Sequence, residues 1–421
     1  MHHDLDARRL RAATWAVFGV FIAAGFGMAT WASRIPAVRD GLDFSQGQMG
    51  LLLLSASIGS LCALPLSGMI SSRLGAGRTV LTFAVVSSIG FAVACFGVDA
   101  GEHVWVRVGL FFAGVGVGVW DAAMNLEGAV VEQRLGRAIM PRFHAAFSLG
   151  TVAGAGAGAL AAWAHVPLTP HLLTVQVVDA VAVALCVRAF LPAHEAGPTT
   201  SLPGAQDALA DPATAVEPAH GHTLKDTLAT WREPRTLLIG LIVMAAALTE
   251  GAANDWVGLA TVDGFGTGDG VGAVALAVFL VAMTVTRLAG TTLIDRYGRV
   301  VVLRASGAAA IVGVGVFALV PNLPTALVGV ALWGAGAGLG FPMGMSAASD
   351  DPARAALRVS VVSTIGYSAF FVGPALIGFL AEVTGYRLAL LVLALPVAVG
   401  LVVAGAARPL TPVRTASTLD G

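Results

Sequence analysis

Long apolar stretches recur along the chain, separated by short polar segments rich in arginine. Twelve are long enough to be spans: near 12–33, 49–70, 79–98, 104–131, 144–164, 168–191, 235–258, 270–293, 300–320, 325–348, 359–381 and 386–407. A helix crosses the hydrocarbon core with about 20 mostly apolar residues. Strands of an outer-membrane barrel are shorter and alternate polar with apolar positions. The pattern therefore predicts an all-α membrane protein of twelve transmembrane helices. From Pro192 to about Thr230 no run of span length occurs, and Ala, Pro, Thr, His and Asp dominate. That segment reads as a flexible cytoplasmic linker. It divides the chain into a six-helix unit (1–191), a linker (192–232) and a second six-helix unit with a short cytoplasmic tail (233–421). The first span carries no recognisable cleavage site and reads as a retained signal-anchor.

Composition agrees: the 421 residues are 57% apolar and 12% charged, far from the balance of soluble domains. The net charge of −1 provides no basic face for nucleic acid. Cys62, Cys95 and Cys186 have neither disulfide nor zinc spacing. Charge fixes sidedness. With the N-terminus inside, 19 of the 24 basic residues fall in cytoplasmic segments. Only Arg34, Arg39, Arg107 and Arg387 fall outside, and Arg287 lies within a span. The positive-inside rule then puts both termini in the cytoplasm; the expected location is a bacterial inner (cytoplasmic) membrane.

The two units repeat. Gly114-Val-Gly116-Val-Gly118 in span 4 matches Gly334-Ala-Gly336-Ala-Gly338 in span 10, and Ser148-Leu-Gly150 in span 5 matches Thr364-Ile-Gly366 in span 11. Ser72-Arg73-Leu-Gly75, followed by Arg78, after span 2 matches Asp295-Arg296-Tyr-Gly298-Arg299 after span 8. Six-helix halves of this kind are a transporter device. The loop sequences resemble the Gly-x-x-x-Asp-Arg-x-Gly-Arg pattern of the major facilitator superfamily, and the likeness covers essentially the whole chain. It implies two pseudo-symmetric bundles, a cavity lined by spans 1, 4, 7 and 10, and alternating access. The second copy keeps Asp295, Arg296, Gly298 and Arg299, with Thr291 where glycine is usual. The first keeps Gly68, Arg73 and Gly75 but has Ser72 for the acid. These residues and Arg78 are candidate gating elements, a basic loop bridging carboxylates on neighbouring helix ends. Gly373-Pro374 in span 11, and Pro342 in span 10, are sites of local bending. In this superfamily a Gly-Pro-x-x-x-Gly element in span 5 marks exporters. Its absence from span 5 here argues against a drug antiporter.

Ionisable groups inside spans are costly and are candidates for function. Asp121 and Asn125 are four apart on span 4 and share a face, as do Glu250 and Asn254 on span 7. The Asp121-Ala-Ala-Met-Asn125 stretch resembles one in the fucose-permease-like branch of the superfamily. That likeness implies a proton-coupling acid at Asp121 and solute contact at Asn125. The branch carries another acid late in span 1, where this chain has Ala32-Ser33-Arg34, and Arg34 is a site candidate expected to pair with a carboxylate. Glu250 is the second candidate for substrate or proton binding, with Asp255 beside it. Trp31 and Trp120 are candidates for stacking on a sugar ring. Asp179 and Gln176 in span 6 are expected to make packing hydrogen bonds, Glu127 to be interfacial, and Trp256 to anchor the outer interface. Arg287 is expected to snorkel or to join the latch at Asp295.

Asp350-Asp351 is the only adjacent acid pair that could suggest phosphate chemistry. It reads better as the acidic start of a helix, and no catalytic set supports an enzyme. The expected activity is proton-coupled symport of a small polar, sugar-like solute by a monomer in the lipid bilayer. No cofactor is expected beyond a proton or sodium gradient. The rival readings are an exporter of metabolites or drugs on the same fold and a non-transporting sensor.

Overall fold

A computed structural model describes residues 2–136, 139–191, 228–351 and 354–410. Most of the expected linker (192–227), Arg137, Lys225, Pro352 and Arg414 lie outside the described residues.

Among the described residues, twelve helices are long and apolar enough to cross a membrane. They are span 1 (Ala7–Ser33), span 2 (Gln46–Leu74), span 3 (Ala76–Asp99), span 4 (His103–Leu135), span 5 (Met140–Trp163) and span 6 (Leu168–Ala189). The second half has span 7 (Pro234–Phe265), span 8 (Asp269–Tyr297), span 9 (Arg299–Leu319), span 10 (Leu323–Ala348), span 11 (Leu357–Thr384) and span 12 (Tyr386–Ala407). Hydropathy located all twelve of these spans. Most extend past their apolar runs, because inside a helix the backbone bonds are satisfied whether or not the side chain is apolar. Span 7 reaches Phe265, seven residues past the expected 258. With an even number of spans, both ends of the bundle emerge on one face, here the basal face; the other is apical.

Packing bears out the repeat. Span 4 lies between spans 2 and 3, and span 1 packs on span 5; span 10 lies between spans 8 and 9, and span 7 packs on span 11. The matching glycines make these contacts. A side chain at Gly114 would strike the Ala56 carbonyl of span 2, and one at Gly334 the Phe279 carbonyl of span 8. Gly116 faces Ser87 of span 3 as Gly336 faces Ala310 of span 9. Without a hydrophobic force between helices in lipid, such close backbone approach is a main source of cohesion.

Glycine also makes three of the corners, one of them Gly385 (φ 76°) between spans 11 and 12. Gly75 (φ 81°) alone joins span 2 to span 3, and Gly298 (φ 79°) alone joins span 8 to span 9. That left-handed backbone suits a residue without Cβ, which is the local reason for the glycine in both loop copies.

An additional helix, Ile35–Leu42, follows span 1 at the apical face and buries Ile35, Pro36, Val38 and Leu42. It is too short and amphipathic to register as a span. Its Arg39 pairs with Asp40 (Nη2–Oδ1 2.7 Å) and, across the halves, with Asp263 at the end of span 7. Burial opposes the Arg39 charge, but the hydrogen bonds to Asp263 and Asp40 outweigh it and hold its pKa above the ordinary arginine value. Glu382 of span 11 accepts hydrogen bonds from the Ser45 hydroxyl and, at 2.8 Å, from the Gly47 N–H of span 2. Gly50 lies against the Pro374 carbonyl. The apical ends of the halves are thus clasped together.

Candidate functional site

Span 4 carries Trp120, Asp121 and Asn125, and span 7 carries Glu250, Asn254 and Asp255. The two helices use one local device. Asn125 Nδ2 donates to the Asp121 carbonyl at 2.9 Å, and Asn254 Nδ2 donates to the Glu250 carbonyl at 3.1 Å. Each amide's donor is consumed by its own helix, four residues back. Each Oδ1 is left buried with no partner. A buried unsatisfied acceptor costs about 1–3 kcal/mol, so both are places where a hydroxyl or N–H of a solute would be stabilised. Asp121 is half-buried beside Asn125.

Glu250 is not isolated. Arg287 of span 8 donates from Nη2 to Glu250 Oε2 at 2.7 Å and from Nε to the Gly338 carbonyl at 3.1 Å. That carbonyl is available for a sequence reason. Span 10 is helical over Leu323–Ala337, breaks at Gly338 and Leu339, and resumes over Gly340–Ala348. Pro342 has no N–H to donate back to Gly338, whereas the next residue, Met343, does donate to Leu339 (3.1 Å). One guanidinium therefore links spans 7, 8 and 10 inside the second half. Arg287 was expected to snorkel or join Asp295; it does neither. The signal was present in the sequence: an arginine within a span requires a counter-ion, and Glu250 is an acid in the adjacent span.

Other expected groups lie elsewhere. Trp31 packs on Phe91 (5.1 Å between centroids) and Trp120 is buried. Arg34 sits at the apical end and is taken up below. Asp255 is half-buried and has no hydrogen bond or ion pair among the described residues. Trp256 is fully buried against Tyr386 (5.4 Å) and is no interfacial anchor, because the extension of span 7 places it inside the bundle. Glu127 is buried toward the basal end of span 4 and accepts from the Leu191 N–H at 2.8 Å, which ties span 4 to the end of span 6. Asp179 is buried against Gly27 of span 1 and makes no hydrogen bond among the described residues, and Gln176 Nε2 is also unpartnered. The expected packing bonds are absent there.

The loop residues divide. Arg73, Arg78, Asp295 and Arg296 are exposed, and Asp295 and Arg296 form no latch; Arg296 rests on the Tyr297 ring (5.3 Å). Gly68 is half-buried on span 2. Gly373 lies against Leu248 of span 7. Arg299 does engage a carboxylate: Asp350 receives Arg299 at 3.0 Å and Arg235 at 2.8 Å. Asp350 thus follows the end of span 10 and ties spans 7, 9 and 10. The expected helix start is instead near Ala355, and Asp351 pairs with Arg358 at 3.1 Å. Glu233 binds Arg358 (2.8 Å) and Arg354. Burial works against its charge, but the hydrogen bonds from Arg358 and Thr236 prevail and hold its pKa below the usual carboxylate value.

Two six-helix bundles with intramembrane polar groups on inner helices define a polytopic solute transporter. The sequence matches the family model of the Major Facilitator Superfamily over residues 16–355 and 256–420, and the chain belongs to that family. It is 31% identical to an uncharacterized transporter of Sinorhizobium fredii, over 92% of this chain and 96% of the relative. It is 27% identical to the membrane protein MosC of Rhizobium meliloti, over 92% and 88% respectively. Among solved structures it is similar in fold to the nucleoside transporter NupG (TM-score 0.69, 15% identity, 94% and 98% covered). The E. coli fucose:proton symporter FucP is similar as well (TM-score 0.61, 16% identity, 94% and 98% covered).

Proposed function

We propose that the protein is a proton-coupled symporter of a small, neutral, sugar-like solute, working by alternating access in the bacterial cytoplasmic membrane with its basal face in the cytoplasm. The observation that carries this reading is the Glu250–Arg287 pair held on the broken span 10. A charge pair at a helix break is an element with two arrangements, which coupling requires. A proton on Glu250 removes the attraction, frees Arg287 and loosens its hold on Gly338. Asp121 is the second proton site. The orphaned Oδ1 atoms of Asn125 and Asn254 are acceptors for solute hydroxyls. The fold neighbours titled a fucose:proton symporter and a nucleoside transporter are in keeping with such a solute. The apical clasp at Arg39–Asp263 and Glu382 describes the state closed to the outside.

One proton moving down 100 mV supplies about 2.3 kcal/mol, which sustains roughly 50-fold accumulation of a neutral solute. The test is uptake of labelled L-fucose, D-galactose and xylitol into proteoliposomes with and without an imposed inward proton gradient. Wild type accumulates at least one of them only with the gradient. Asp121→Asn and Glu250→Gln keep solute exchange but lose accumulation. Accumulation unchanged in Asp121→Asn, or uphill extrusion in place of uptake, overturns the proposal.

A further inference from the structure

A polar cavity lies at the apical face, away from Asp121 and Glu250. It is a cleft of about 860 Å³, within the range of small-molecule sites. The first half contributes Arg34, Asp99, Trp163 and His165; the second contributes Asp269 and Gly270. Trp163 lies against Gly270, so its ring and the start of span 8 form one continuous wall. Asp99 and His165 are exposed at the rim.

Arg34 is the unusual group. Its relative exposure is only 4%, yet just one of its nitrogens is bonded, Nη2 donating to the Val166 carbonyl at 2.9 Å. Nε and Nη1 are buried with no partner. Asp269 is close enough for its field to reach Arg34 but forms no ion pair with it. A buried guanidinium with two idle donors is an expensive arrangement unless a ligand completes it.

Charge selects the ligand. The cleft holds one buried cation, Arg34, and two carboxylates, Asp99 and Asp269. An added anion would face both carboxylates, and an added cation would face Arg34. We infer that this cleft is a second binding site, an apical subsite for a neutral polyhydroxylated solute. Hydroxyl oxygens accept from Arg34 Nε and Nη1, hydroxyl protons are donated to Asp269, and the apolar face of the solute lies on the Trp163 ring. Because Arg34 and Asp269 belong to different halves, an occupant bridges them and favours the apically closed state. The solute class is shared with the proposed function, but the site does not depend on Asp121 or Glu250.

The test is titration of tryptophan fluorescence of the purified full chain in detergent with D-galactose, L-lactate and L-serine. D-Galactose gives a saturable quench and the other two do not. Trp163→Phe removes that quench. Asp269→Asn, a change at a half-buried position, weakens D-galactose about ten-fold or more, as does Arg34→Gln, the loss expected when hydrogen bonds to a charged group go. Asp121→Asn leaves the quench intact. A quench abolished by Asp121→Asn but untouched by Asp269→Asn belongs to the central site and overturns the inference. So does a saturable response to lactate or serine in place of galactose, or no response to any of the three. An intact apical quench together with unchanged accumulation in Asp121→Asn overturns the transport proposal alone.

Discussion

In the first half, the basal end of span 4 is secured by carboxylates that accept backbone N–H groups. Glu132 receives those of Ile139 and Met140 at 2.5 and 2.7 Å, and Glu127 receives that of Leu191. In the second half, the corresponding end of span 10 is secured by side-chain ion pairs, with Asp350 between Arg235 and Arg299. Span 4 runs unbroken from His103 to Leu135, whereas span 10 breaks at Gly338. Yet both halves dock their inner helices through glycines at matching positions. The common device is backbone contact, which tolerates no variation; the differing device is polar, and its bonds can exchange. A repeat can therefore keep its packing and still divide labour, one half serving as the firmer frame and the other carrying the exchangeable bonds.

The largest effects should be shared between the halves. Gly114→Val and Gly334→Val each place a side chain where a carbonyl already lies, and each should cost about 3 kcal/mol. The measurement is the thermal midpoint in detergent, and a variant that loses nothing in one half would break the packing symmetry. Asp350→Ala should act on the second half alone. It removes the one carboxylate that Arg235 and Arg299 share and leaves them only neutral acceptors, and because all three are partly solvated the cost should be about 2 kcal/mol. The same assay reads it, and restoration by Asp350→Glu would confirm an ionic role.

Pro342→Ala sharpens the comparison further. It supplies an N–H that competes with Arg287 for the Gly338 carbonyl. One such bond is worth about 1 kcal/mol, so initial uptake rates should change about five-fold. An unchanged rate would separate the helix break from transport. The smallest effect is Ser72→Asp, which restores the family acid to the first loop. Ser72, Arg73 and Arg78 are exposed, so stability should shift by under about 0.5 kcal/mol. A larger gain would reveal a latent latch in the first half.

Apolar run length made the twelve helices legible, since in lipid the span is the unit of the fold, and the matched glycine and loop motifs made the repeat legible. The Asp121–Asn125 and Glu250–Asn254 spacings were legible for the same kind of reason, being set within one helix. Arg287 with Glu250 was legible only as an intramembrane arginine that needs a counter-ion and an acid in the adjacent span; Asp350 with Arg299 and Arg39 with Asp263 were not legible at all. Each joins different helices, and their meeting depends on crossing angles and depth that hydropathy does not encode. Trp256 was misplaced because a span's apolar edge was taken for its membrane edge. The helix Ile35–Leu42 escaped because eight amphipathic residues carry no span signal.

The single-residue corners at Gly75 and Gly298 have a practical consequence. A connection without slack keeps spans 2 and 3, and likewise spans 8 and 9, at a fixed separation where they meet at the basal end. A pair of fluorophores at the basal ends of spans 2 and 3, or of spans 8 and 9, should therefore report a constant transfer efficiency through turnover. Such a pair would be a built-in ruler against which displacements elsewhere in the bundle can be calibrated.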